Sequence, residues 1–252
     1  KPTRNFLNYT FFLTFFPPLL AGPVVRAKDL MGQIESHPVA SRAMVSSGLF
    51  LIMAGLVKKV IVADYISGNF IDRVFDNPTM FSGFENLMAV YGFTLQLYCD
   101  FSGYSDMAIG IALLLGYRFK ANFDAPFKSQ NPSEWWRRWH ISLSTWLRDY
   151  LYIPMGGSRC SKPRTHVNLF NTMLLGGLWH GASWMYIIWG AWNGLLLIVH
   201  KTLRSIFPHV SEKKRNAWWR VTANVFLTFN LMAFGFMFFR ARSMTHVHDM
   251  IG

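Results

Sequence analysis

Two histidines stand out by their surroundings. His180 lies in LLGGLWHGASW, residues 174–184, inside a run from Val167 to His200 that contains no Asp, Glu, Lys or Arg. An imidazole in so apolar a setting stays neutral near pH 7 and is available as a base. Gly176, Gly177 and Gly181 would let backbone or substrate come close to it. The plainer alternative is a packing histidine bonded to a neighbouring carbonyl. His140 lies in WWRRWHISLSTWLRDY, residues 135–150, preceded by three tryptophans and two arginines. Aromatic and basic residues mixed in this way also make an ordinary interfacial anchor. As chemistry, His140 would be a second polar group that orients a substrate carbonyl or a water. Arg137, Arg138 and Arg148 could hold a phosphate or carboxylate, or equally lipid headgroups. A third cluster, YCDFSGYSD, holds Asp100, Ser102, Tyr104, Ser105 and Asp106 in otherwise membrane-like sequence. A carboxylate there is expensive and needs a partner or a cavity. It is either internal glue, pairing with an arginine from another helix, or the wall of an acceptor site.

Other site types find no support. There is no HExxH, no GxxxxGK[ST], no GxGxxG opening a helix and no GxSxG elbow. The eight histidines are scattered, and Cys99 and Cys160 are not in a CxxC, so no metal site is expected.

These residues need elements to position them, and the composition says what kind. Of 252 residues, 52% are hydrophobic, 17% aromatic and only 15% charged. A soluble domain could not cover that much apolar surface, and disorder is excluded for the same reason. The net charge of +12 suits an anionic membrane surface better than nucleic acid, whose binding modules are mostly polar. Residues 5–25 are uncharged but interrupted by Pro17-Pro18 and Gly22-Pro23. That pattern predicts a broken or re-entrant segment. A helix is expected from Ser41, as N-cap, to about residue 66, spanning the membrane only if Lys58-Lys59 lie near an interface. Residues 67–85 read as a loop, and 87–117 as helix that Gly103 divides in two. Residues 118–164 carry nine Lys or Arg against three Asp or Glu, and read as amphipathic interfacial sequence. Within it, Trp135, Trp139 and Trp146 would share one side of a helix. Val167–His200 is long enough for one spanning helix and a shorter one, with Gly176-Gly177 and His180-Gly181 as interruptions. A loop is expected around Pro208. The 19 uncharged residues from Val221 to Phe239 are the strongest single-pass candidate.

The run NPSEWWRRWHISLSTWLRDYLYIPMGGSR, Asn131 to Arg159, resembles the signature of the membrane-bound O-acyltransferases. Three more segments are similar to the bacterial branch that O-acetylates alginate. They are PPLLAGPVVRAKDL at 17–30, YCDFSGYSDMAIGIALLLGY at 98–117 and GGLWHGASWMYIIWGAWNGLLL at 176–197. The RRWH segment also resembles teichoic-acid D-alanylation proteins. GGSR and LWHGASW look closer to polysaccharide and peptidoglycan O-acetylation. The resemblance places His180 at the family's catalytic histidine and His140 at its second motif histidine. It implies a chain extending beyond both ends, of which residues 1–252 are one membrane-embedded portion.

The expectation is an all-α, polytopic protein of the bacterial inner membrane, with tilted and broken helices around a central funnel. It would move an acyl group, most simply acetyl, from a cytoplasmic thioester such as acetyl-CoA toward hydroxyls of an exported polysaccharide such as alginate. A periplasmic acyl-accepting protein could stand between. No bound cofactor and no nucleic acid are expected. His180 and His140 are the expected catalytic groups. Trp136, Arg137, Arg138, Trp139, Arg148, Asp100, Ser102, Tyr104 and Trp179 are the expected donor- or substrate-binding residues. Peptidoglycan O-acetylation and teichoic-acid D-alanylation are the near alternatives. A transporter or scaffold subunit is the alternative of another class; it would explain Asp100 and Asp106 by flux rather than turnover.

Overall fold

In the computed structural model, residues 5–19, 22–207 and 217–252 are described; the expected loop at Pro208 lies outside them. All regular structure among the described residues is helical. Among the described residues, two helices are long and apolar enough to cross a membrane, Arg42–Asp76 and Trp218–Arg240. The chain divides into two compact units, Lys1–Ser67 with Leu95–Phe123, and Gly68–Thr94 with Asp124–Gly252.

The first unit opens with α1 (Phe6–Thr14), whose N-cap Asn5 accepts from the amides of Leu7 and Asn8 at 3.0 and 3.3 Å. The prolines end it, and a turn follows at residues 17–19. Next comes α2 (Ala27–Glu35), which buries Leu30 and Ile34 against Phe15 and Ala112. Gln33 clamps the backbone of Arg118, donating to its carbonyl at 3.0 Å and accepting from its amide at 2.8 Å. Ser41 caps α3 (Arg42–Leu56) as expected, accepting from the Met44 amide.

Beyond Leu56 the helix does not stop. It continues through π-helical turns at Val57–Asp64 and Ser67–Ile71 into α4 (Asp72–Asp76). The stretch 67–85 is therefore largely helical turns, with a 3-10 turn at Pro78–Met80, rather than a loop. The next helix, α5 (Gly83–Leu114), begins in the second unit and ends in the first. It is unbroken at Gly103, because that glycine is a contact point. A Cβ added to Gly55 would lie 2.5 Å from the Gly103 carbonyl oxygen, and one added to Gly110 would lie 2.6 Å from that of Gly48. Small residues are what allow two backbones this close.

The same register brings charge together. Lys58 pairs with Asp106 at 2.6 Å, and Lys59 bridges Asp100 at 2.5 Å and Asp64 at 2.6 Å. The carboxylates are thus paired, but with lysines rather than an arginine. Asp106→Ala should destabilise the protein by about 1–2 kcal/mol more than the double change Lys58→Met with Asp106→Leu, since only the single change strands a charge. Thermal unfolding in detergent checks this; a double variant weaker than the single one would refute it.

In the second unit, Ser82 and Glu85 form a reciprocal cap at the start of α5. Between Asn131 and Tyr152 lie two short helices, α6 (Pro132–Arg138) and α7 (Ile141–Leu147), the latter running into a π-helical turn. They are followed by α8 (Lys162–His180) and α9 (Trp184–Ile206). Gly176 and Gly177 do not interrupt α8; the break comes after His180. Then come α10 (Trp218–Arg240) and α11 (Met244–Ile251). α10 is tied to the rest of the unit by Tyr91 donating to Asn230, by Trp192 donating to the Leu231 carbonyl at 2.9 Å, and by the Arg240–Asp72 pair at 2.7 Å.

The tightest packing joins α8 and α9. Gly177 and Gly190 face each other, and a Cβ on Gly190 would sit 2.5 Å from the Met173 carbonyl oxygen. Gly190→Ala should therefore cost about 1–3 kcal/mol of stability by overpacking. A melting temperature equal to that of the parent protein would contradict this.

Candidate functional site

Both candidate histidines fall in the second unit. His140 lies between α6 and α7. A continuous helix through the tryptophans was expected; instead the chain leaves the helix at Trp139 and turns through His140 at φ 43° and ψ 54°. That is left-handed backbone at a residue with a Cβ, a strain of about 1–3 kcal/mol that tends to persist where the surroundings fix it. The turn is held by the His140 carbonyl accepting from the Ser144 amide at 2.9 Å and the Ser144 hydroxyl donating to the Trp139 carbonyl at 3.0 Å. His140 is 6% exposed. Burial, with the nearby His180 adding to it, pushes the His140 imidazole down to about 3, so it is uncharged at neutral pH.

His180 is the last residue of α8. Its ring sits in an aromatic box. Trp179, Trp189 and Phe239 meet it edge-to-face at centroid distances of 5.1, 5.2 and 5.1 Å, and Tyr186 lies at 6.2 Å. The sharp turn that follows needs a glycine, because a Cβ on Gly181 would stand 2.8 Å from the Tyr186 ring. His140 and His180 are close enough to interact electrostatically.

Trp136 extends the box. Its ring lies 5.9 Å from that of Trp189, in a T-shaped arrangement, and it also lines a cavity of about 440 Å³. The cavity wall is mostly apolar: Leu147, Leu169, Met173 and Leu197 line it. Thr145 and Thr172, also in the lining, donate their hydroxyls to the Ser142 and Asn168 carbonyls. Arg137 and Arg148 also line it. Both are exposed; Arg148 pairs with Asp149 at 2.7 Å. Arg137 lies close enough to His200 to act on it electrostatically, as does Arg204 one turn further along α9. The cavity lining thus carries two arginines and no carboxylate.

The remaining expected residues divide. Arg138 is engaged with Glu134 at 3.0 Å and Asp124 at 3.2 Å, so it braces α6. Trp139 is stacked on Trp135 at 5.2 Å and 18° and is 4% exposed. Trp146 leaves that stack and lies against Tyr150 instead. Trp179 is exposed except where it meets His180. Asp100, Ser102 and Tyr104 belong to the first unit, on α5. There Asp100 is paired with Lys59, and the buried Ser102 hydroxyl has no partner. Trp189, Tyr186 and Phe239 were not anticipated. A signal for Trp189 existed in Gly177 and Gly190, small residues on either side of the His180-Gly181 turn that mark an antiparallel contact.

Comparison with known proteins follows the same residues. The family model described as MBOAT, membrane-bound O-acyltransferase family, matches residues 3–241. A probable alginate O-acetylase of Pseudomonas aeruginosa is 46% identical over 245 residues, covering 96% of this chain and 44% of the relative. A peptidoglycan O-acetyltransferase of Helicobacter pylori is 40% identical, covering 95% and 45%. A teichoic acid D-alanyltransferase of Bacillus subtilis is 29% identical, covering 94% and 62%. The chain spans about half the length of the curated alginate and peptidoglycan relatives it matches.

Proposed function

Because the chain belongs to the membrane-bound O-acyltransferase family, we propose that it is the catalytic portion of a polytopic inner-membrane enzyme that transfers an acetyl group to hydroxyls of an exported polysaccharide. The observation that carries this reading is the pair of histidines, His140 buried in strained backbone and His180 half-buried in an aromatic box that Trp136 joins to a largely apolar cavity. In this reading the cavity takes the thioester arm of acetyl-CoA or of an acylated carrier protein. Arg137 and Arg148 meet the donor's phosphate.

His180 removes the proton from the acceptor hydroxyl as its oxygen attacks the thioester carbonyl. His140, neutral and buried, orients the reacting groups. The apolar wall keeps water from hydrolysing the thioester. Trp179 covers the His180 side of the site. Trp139 and Arg138 hold the turn that carries His140, which makes them supports of the site. Asp100, Ser102 and Tyr104 are the candidates for an acceptor path through the first unit. The helices of the complete protein, tilted and broken, would surround a central funnel. Residues 1–252 then form a single functional region of it. The acceptor is the polysaccharide itself or a periplasmic protein that passes the acetyl group on to it. Alginate-type polymers are favoured as acceptor by the higher identity to the alginate relative, with peptidoglycan next.

The test is transfer by the purified full-length protein, given radiolabelled acetyl-CoA, an alginate-type polysaccharide and an extract containing periplasmic partners. Label on polymer or partner supports the reading. No label with a competent extract sinks acetyl-CoA as donor; if acylated carrier protein then also fails, it sinks acyl transfer, and flux measurements would take up the transporter reading.

A further inference from the structure

Trp136 and Trp189 share a property that packing alone does not explain. Each has its indole N–H buried with no hydrogen-bond partner. Proteins pair buried donors in the great majority of cases, and a cluster of exceptions asks for a cause. Here the two orphans are neighbours, with ring centroids 5.9 Å apart. Trp189 is 3% exposed and touches the His180 ring edge-to-face at 5.2 Å. Trp136 lines the cavity. The two rings therefore form a continuous contact from the cavity wall to the imidazole. Trp135 also has an unpartnered N–H, but its ring sits among Phe127, Trp139 and Phe236.

The geometry points to the indole N–H groups of Trp136 and Trp189 as the donors that hold the thioester carbonyl oxygen during acyl transfer. This inference rests on the acyl-transfer reading above and adds the residues that stabilise its transition state. When the acceptor oxygen bonds to the carbonyl carbon, the C=O π pair moves onto the carbonyl oxygen and His180 takes the hydroxyl proton. The two N–H groups donate to the resulting oxyanion. The pair then reforms C=O, the C–S bond breaks with its electrons on sulfur, and the proton from His180 neutralises the thiolate. Each N–H is enclosed and has no partner to give up, so a side-chain shift that admits the carbonyl oxygen breaks no hydrogen bond in the protein, and a donor is worth most in a site that excludes water. The rigid aromatic box keeps both rings aimed.

The test replaces each tryptophan, in the full-length protein, by β-(3-benzothienyl)alanine, which keeps the bicyclic shape and substitutes sulfur for N–H. Acetyl-CoA is the substrate probed, and S-acetonyl-CoA, whose carbonyl cannot be transferred, reports binding. Each replacement should lower kcat about 10²-fold, with KM and S-acetonyl-CoA affinity little changed. A kcat within about twofold of the parent at both positions overturns the inference. So does an equal loss of analogue affinity and of rate, which would mean that the rings only position the donor. His180→Ala run alongside separates the two failures. If the parent transfers acetyl and His180→Ala does not, normal tryptophan variants sink this inference alone. If the parent itself transfers nothing from acetyl-CoA, the acetyl reading falls and the inference with it.

Discussion

Replacement of His180 by alanine is expected to lower acetyl transfer by the full-length protein about 10³-fold, the loss associated with a positioned general base. The fold should survive. His180 is the final residue of α8 and is only half-buried, and alanine is the best helix former. Truncation opens space inside the aromatic box without touching the Gly177–Gly190 seam. The activity loss should therefore appear with little change in thermal unfolding and with donor binding retained. A variant that keeps a tenth or more of the parent rate, on the order of what a lost packing contact would leave, removes His180 from the chemistry.

His140→Ala should cost about 10²-fold in rate, through lost orientation of the reacting groups rather than a lost base. Here a second variant distinguishes side chain from backbone. The residue sits at φ 43°, where alanine keeps the strain and glycine relieves it. His140→Gly should thus be more stable than His140→Ala by about 1 kcal/mol, yet equally impaired in transfer. Stability and activity move independently only if the imidazole itself is needed. If glycine restores the rate, the turn matters and the ring does not.

The histidines, the glycine-rich turn and the two long apolar spans were legible because each rests on local pattern: uncharged runs, a Ser cap, glycines beside a histidine. What escaped was set by contacts between segments distant in sequence. Gly103 reads as a helix breaker on its own, but against Gly55 it is a point of approach. The WWRRWH run reads as a continuous helix by spacing. It breaks at Trp139 and His140, where Asn131 caps the first helix, Arg138 is braced by Asp124 and Glu134, and the Ser144 hydroxyl holds the Trp139 carbonyl. The role of Trp189 could not be read from periodicity. It depends on α8 and α9 folding back at Gly181, which brings a residue nine positions away onto His180.

The lysine–aspartate pairs of the first unit bear on how such a chain is made. The apolar stretch 42–76 carries Lys58 and Lys59, and each lysine at mid-bilayer costs about 2.5–3.5 kcal/mol during insertion. Asp106, the counter-charge of Lys58, stands 48 residues further along the chain. When the ribosome has just finished the first stretch, that charge does not yet exist. If the stretch spans a bilayer, entry of the two helices as a hairpin neutralises Lys58 before it is desolvated, and co-insertion is the expected order. The ion pairs then bear on biogenesis as well as on the stability of the finished protein.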